Sequence, residues 1–379
     1  MSLELEVNEK LDKEYNHLIE KFGRSIHFLK FRPWLPKLFN DSFQILLFGF
    51  FQALFYVIRY RIDLIHARSY LPAFISLWIK AITRTKIIFD VRGLVIEECI
   101  AQGLWKADSL RTHFMKFFEK QCILKADHIV AVSHKLRDFI LQKPYLIERN
   151  IAVTVIPNCV DLTIYTRNKV FRSEFRNKHN LENRNILLYS GSLASWQQTD
   201  QIVLFFSEYQ KIDTASFLLI LTYSDTRILK ELFNELRIKD SNYLILSLNP
   251  DEIPKYSSVG DMGILFRMNG LISEVSAPLK FAEYLSLGMP VLMTDKVGDV
   301  SALAENLGVG FCVQFSSLDN LRNQCFRIYK IFTQTSKEIQ PKCRSVAETY
   351  FSLNIALEKY RQVYDIVLAS QNTKQNNFN

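Results

Sequence analysis

Pro278-Leu279-Lys280-Phe281-Ala282-Glu283-Tyr284-Leu285, running on to Gly288-Met289-Pro290-Val291, is the stretch that decides the fold. Proline opens a short helix, Gly288 closes it, and a strand over Val291–Thr294 follows at once. A helix delivered straight into a buried-type strand is the repeating unit of an open parallel sheet. Lys280 and Glu283 stand three residues apart and so share a helix face. A cation at a helix start adds to the pull of free N–H groups on phosphate, and a carboxylate beside it accepts from a diol such as a ribose. The plain alternative is an amphipathic helix with Phe281, Tyr284 and Leu285 in the core. It accounts for the apolar spacing but not for the charged pair.

Working outward, the chain alternates strands and helices throughout. Strands are expected at Ile186–Tyr189, Ser216–Leu221, Tyr243–Leu246 and Met262–Leu265, with helices over Asn320–Phe332 and Lys337–Ala369. In the first half, Leu3–Val7 and Ser25–Phe31 read as strands, with a helix from Asn8 to about Phe22 between them. Further strands are expected at Asp63–His66, Lys86–Asp90, His128–Val132 and Val153–Ile156. Ile156-Pro157-Asn158-Cys159-Val160-Asp161 is a turn and a boundary. The expected division is an N-terminal domain over 1–160, a C-terminal domain over 161–350, a helix over 351–370 returning to the first domain, and a frayed tail over 371–379.

Composition agrees with two globular domains: 379 residues, 48% hydrophobic and 23% charged. Six scattered cysteines with no Cys-x-x-Cys pair read as reduced thiols of a cytoplasmic protein, not as a disulfide frame or zinc site. The opening glutamates, Glu4, Glu6 and Glu9, do not read as a signal peptide. The formal charge of +8 suits a phosphorylated substrate and an anionic membrane surface. Nucleic acid is not expected as a partner, because no zinc-finger or RNA-recognition signature occurs. Phe43–Ile58 is the most apolar segment but falls short of a membrane span. It reads as a packed helix, and its basic flanks Lys37, Arg59 and Arg61 keep peripheral membrane contact open.

Other candidate site residues lie at strand ends, where open parallel sheets bind ligands. Ser190-Gly191-Ser192 ends one strand; its glycine lets backbone approach a ligand and its hydroxyls suit phosphate. Arg267, after Met262–Leu265, is placed to reach the same phosphates as Lys280. Phe89-Asp90-Val91-Arg92-Gly93, with Glu97-Glu98, ends a strand of the first half, and Arg92 suits a phosphate or anionic acceptor. His66-Ala67-Arg68-Ser69 ends another, with His66 open between a packing and a site role.

With Ala126-Asp127-His128-Ile129-Val130-Ala131-Val132-Ser133 and the boundary turn added, these segments resemble, in order, the retaining glycosyltransferases of family 4. The resemblance implies the GT-B fold, two facing Rossmann-like α/β domains with parallel sheets. It implies transfer of a hexose or N-acetylhexosamine from a nucleotide-sugar donor to a lipid-linked or growing glycan acceptor, in cell-surface polysaccharide or lipopolysaccharide synthesis. No cofactor or metal is implied, and the place of the enzyme is the cytoplasm or the inner face of the membrane. By the same resemblance Glu283 holds the ribose, Lys280 and Arg267 neutralise the diphosphate, and Ser190 and Gly191 approach it. Arg92 stands where many relatives carry a histidine facing the sugar.

The departures also shape expectation. The family's first acid, eight positions before Glu283, is Val275 here, with Glu274 one residue off register as its substitute. Ser195, Trp196 and Gln197 stand in place of a basic pair, which leaves the phosphate load on Arg267 and Lys280. Cys159 replaces a glycine and implies a turn without positive φ. Leu3–Val7 resembles the second strand of such domains, so a preceding strand and glycine loop are expected from upstream codons. A nucleotide-sugar epimerase of the same architecture, or a nucleotide-binding subunit without turnover, are the alternatives.

Overall fold

The computed structural model describes residues 41–146 and 150–375. The expected elements before residue 41, the first strand question and Lys37 lie outside the described residues. The chain divides into two compact units: Met1–Val130 with Pro144–Thr154 and Val363–Asn379, and Ala131–Lys143 with Val155–Gln362.

In the first unit, α1 (Asp41–Tyr60) precedes β1 (Leu64–Arg68), α2 (Tyr70–Thr83), β2 (Lys86–Val91), α3 (Val95–Ala101) and α4 (Leu110–Lys125). Then come β3 (His128–Ala131) and β4 (Val153–Val155), with the strands in the order β1-β2-β3-β4, while α5 (His134–Leu141), between them in the chain, is counted with the second unit. β1 and β2 pair in parallel, from Leu64 opposite Lys86 to Arg68 opposite Asp90. The long apolar segment forms α1, and Ala53 and Val57 bury against Ile75 and Ile79 of α2. The helix therefore packs chiefly on a neighbouring helix, while Phe51, Phe55 and Ile58 stay exposed. Among the described residues no helix is long and apolar enough to cross a membrane.

The larger sheet takes α6 (Lys169–Lys178), β5 (Asn185–Ser190), α7 (Thr199–Gln210), β6 (Ser216–Leu221), α8 (Arg227–Glu235) and β7 (Tyr243–Leu246). It continues through α9 (Ile253–Ser257), β8 (Met262–Leu265), α10 (Leu271–Val275), α11 (Leu279–Ser286) and β9 (Val291–Thr294). α12 (Val300–Asn306), β10 (Gly310–Val313) and α13 (Leu318–Tyr350) complete it, and α14 (Leu353–Gln375) begins in the second unit and from Val363 belongs to the first. Strand order is β10-β9-β8-β5-β6-β7, and the pairs are parallel. The chain thus starts at the centre, winds out through β6 and β7, and returns to build the other half from β8. The point where direction reverses lies between β5 and β8, and ligands of open α/β sheets sit outside the strand ends there.

The five expected strands of this sheet match the observed ones, four residue for residue and β5 with one residue more at each end, and β10 was not expected. The two expected C-terminal helices are bounded differently. α13 runs unbroken through Thr333–Ser336, where Thr333 and Thr335 return their hydroxyls to the carbonyls of Tyr329 and Ile331. The break falls instead at Phe351-Ser352, where Val160 pairs with the chain: its N–H donates to the Phe351 carbonyl and its carbonyl accepts from Leu353.

α11 is seated on the sheet by a ring and a missing side chain. Tyr284 is buried and fills the space that Gly263 of β8 leaves, where a Cβ would collide with the ring. Its hydroxyl accepts from the Ser190 amide at 3.0 Å, which ties α11 to the end of β5. The helix ends at Gly288 with φ 73°, and Met289 and Gly288 donate to the Tyr284 and Leu285 carbonyls, both at 2.9 Å. The remaining carbonyls of Ser286 and Leu287 accept from Arg344 and Arg167. Every acceptor of the last turn is thereby satisfied, by cations at the end where the helix dipole favours them.

The six cysteines form no disulfide. Burial pushes the thiols of Cys312, Cys325 and Cys343 up to about 12 and raises Cys99 and Cys122 as well.

Gly263→Ala is expected to lower stability by about 1–3 kcal/mol, the usual cost of forcing volume into a packed core. A urea unfolding series on the purified protein measures it; a midpoint equal to wild type would show that the ring is not confined there.

Candidate functional site

Three side chains of the sequence reading meet at the strand ends flanking the reversal point. Lys280 rises from the first turn of α11 and lays its ammonium 4.5 Å from the centre of the Tyr189 ring. Its Nζ donates to Gln197 Oε1 at 3.3 Å. Gly191, directly after β5, holds φ 146°, and an added Cβ would run into the Lys280 ammonium. The glycine is therefore required by the lysine as much as by any ligand backbone approach. Arg267, two residues past β8, is half-buried, and its backbone is fixed by reciprocal bonds with Thr294 at 3.0 and 2.9 Å.

Withdrawal from water is the first cause of a large fall in the Lys280 pKa, to about 7, and repulsion from Arg267 adds to it, against attraction from Glu283. Lys280 is thus held beside a second cation in a place largely withdrawn from water. Such an arrangement costs stability and is relieved when an anion arrives.

Glu283 lies one turn on. Burial raises its pKa, opposed by the Tyr165 hydrogen bond and by Lys280. The Tyr165 hydroxyl donates to Glu283 Oε1 at 2.7 Å. A polar hollow of about 370 Å³ opens beside Arg267, lined by Gln198, Gln201, Asn269, Thr294 and Gln314.

Ser190 is buried and contributes its amide to the seating of α11. Val275 is buried at the position eight before Glu283, and Glu274 stands half-buried beside it on α10, outside the Lys280–Glu283 cluster. Cys159 is not among the described residues with positive φ, in line with the reading of its turn. Tyr165, Tyr189 and Gln197 were missed as parts of the cluster. Nothing in a sequence ties residue 165 to residue 283, and aromatic residues at strand ends read as core.

Arg92 belongs to the first unit. It pairs with the buried Asp90 at 3.4 Å, and Asp90 also meets His66 Nε2 at 3.2 Å. His66 Nδ1 bonds the Tyr364 hydroxyl at 2.7 Å, so both ring nitrogens are engaged within that unit. Among the described residues no group of three or more His, Cys, Asp or Glu side chains is arranged to hold a metal ion.

Residues 13–164 match the family model described as Glycosyltransferase Family 4. No curated protein matches the chain. Among solved structures, a glycosyltransferase from Rickettsia africae superposes with TM-score 0.70 at 20% identity, over 97% of this chain and 90% of that one. Anabaena Alr3699/HepE in complex with UDP superposes with TM-score 0.68 at 15% identity, over 93% and 89%. WaaG, a glycosyltransferase involved in lipopolysaccharide biosynthesis, gives 0.64 at 12% identity, over 97% and 98%. The chain carries a glycosyltransferase family 4-like domain and has the GT-B fold, two α/β units with parallel sheets.

The depressed Lys280 pKa makes a signed prediction about stability. A lysine whose folded pKa lies near 7 and whose ordinary value is 10.5 is released from its penalty as pH rises between those values. Relative to Lys280→Met, the wild type is expected to gain about 2 kcal/mol between pH 7 and pH 9. Urea unfolding of both proteins at the two pH values reads this directly. A constant difference would mean that the ammonium is solvated.

Proposed function

We propose that the protein is a nucleotide-sugar-dependent glycosyltransferase with a retaining mechanism. It moves a hexose or N-acetylhexosamine to a lipid-linked or growing glycan acceptor of the cell envelope. The observation that carries this reading is the recessed Lys280–Arg267 pair at the sheet's reversal point, with Glu283 one turn along the same helix. Two cations suit a diphosphate, and a carboxylate about one helical turn away suits the ribose diol. UDP bound to Alr3699/HepE and the lipopolysaccharide role of WaaG, both of the same fold, add support.

In the reaction so proposed, the bond between the anomeric carbon and the diphosphate oxygen breaks, and a bond to the acceptor oxygen forms as its proton leaves. Negative charge grows on the diphosphate, and Arg267 and protonated Lys280 neutralise it from fixed positions. Glu283 orients the donor by its ribose. Arg92, held by Asp90, is the acceptor-side group, and Glu274 is the carboxylate offered to the sugar. Residues 1–160 serve the acceptor and 161–350 the donor, with the helix over 351–370 returning to the acceptor side. The work is done in the cytoplasm, with the exposed phenyl rings of α1 and nearby Arg59 turned to the inner face of the membrane.

A second reading, nucleotide binding without turnover, is favoured by Val275, which is buried where the family resemblance asks for an acid. Transfer and hydrolysis assays separate it from the first.

Thermal-shift measurements with UDP-, GDP- and dTDP-sugars are expected to show selective stabilisation by one of them. Glu283→Ala is expected to weaken that ligand by about tenfold or more, since the ribose loses a charged acceptor. Unchanged affinity in the variant would remove Glu283 from the site, and no shift with any donor would overturn the proposal.

A further inference from the structure

Tyr165 lies in the loop after the boundary turn, far in sequence from α11, yet its hydroxyl donates to Glu283 Oε1 at 2.7 Å. The loop that presents it is fixed to the end of that helix. Arg344 donates to the carbonyls of Tyr165 at 3.0 Å, Ser286 at 2.9 Å and Leu162 at 3.3 Å. Arg167 bonds the carbonyls of Leu287 at 3.0 Å and Gly260 at 2.9 Å, and Gln340 Oε1 at 3.1 Å. Asp161 closes the loop on itself by accepting from the Thr163 amide and hydroxyl. Two guanidinium groups thus hold the tyrosine and the carboxylate-bearing helix in one frame.

A carboxylate on a flexible two-carbon stem rotates freely unless one of its oxygens is engaged. In the ionised state it only accepts, so a hydroxyl on Oε1 fixes the plane and leaves Oε2 for a second donor. Burial raises the Tyr165 pKa, with the Glu283 charge as the next cause, so the phenol keeps the proton it donates. From this geometry we infer that Tyr165 is a positioning residue for diol recognition: it holds Glu283 with one oxygen spent and the other aimed at a vicinal diol. The inference rests on the nucleotide reading of the site and adds to it a determinant of discrimination between ribose and sugars lacking its hydroxyls.

The experiment compares wild type, Tyr165→Phe and Glu283→Ala by calorimetry with UDP, GDP and ADP and with their 2′,3′-dideoxy counterparts. The phenylalanine variant keeps the ring and is checked for an unchanged melting curve. It is expected to lose about fivefold in affinity for the diphosphate that wild type binds, the scale of one charge-assisted hydrogen bond in part transmitted. Its affinity for the dideoxy analogue is expected to stay within about twofold of wild type, so that the preference for the hydroxyls shrinks. Equal losses for both ligands would mean a structural role only, and no loss for either would mean no role; each overturns the inference. In both cases a loss in Glu283→Ala would leave the nucleotide site standing. If wild type binds no nucleotide, the proposed function falls and the role of Tyr165 falls with it.

Discussion

Tyr284 turns its ring into the gap over Gly263 and takes the Ser190 amide on its hydroxyl, and the C-terminal site is built on that contact. It sets the depth at which α11 lies on β8 and couples the helix to the end of β5. Lys280, one turn earlier, is thereby carried over the Tyr189 ring and against Gly191. The helix cannot slide, because its C-terminal carbonyls are held by the Gly288 turn and by Arg167 and Arg344. Packing fixes the scaffold, and the scaffold forces a cation into a place it would not choose.

Electrostatics then separates the two ends of α11. The arginines at its C-terminus sit where the helix dipole welcomes positive charge, while Lys280 sits in the first turn, where it does not. Desolvation and Arg267 add to that cost. Elsewhere in the same unit Asp261 pairs with both Arg172 and Arg176.

Much of this was legible in the residues because strands buried on both faces announce themselves. Ser216–Leu221 and Met262–Leu265 are continuous apolar runs bounded by polar turns, and their limits agree with the structure. β10 was not read because Gly310-Phe311-Cys312-Val313 is four residues long and begins with a poor strand former. The long helix misled in both directions. Pro341 lies inside it, and the hydroxyl-rich Thr333–Ser336 stays helical by back-bonding, while Phe351-Ser352 breaks it without glycine or proline. Lys280 and Glu283 stood out because they share a face three residues apart. Tyr165 could not, since its partner is 118 residues away and only the folded chain joins them.

The cysteines carry a practical corollary. Thiol reagents attack the thiolate, and burial keeps Cys312, Cys325 and Cys343 protonated well past neutral pH. A new cysteine engineered on an open helix face would ionise near its ordinary value and outcompete them. Fluorophores or spin labels can therefore be attached at chosen sites without first removing those three sulfurs, giving spectroscopic access to the motions of the protein.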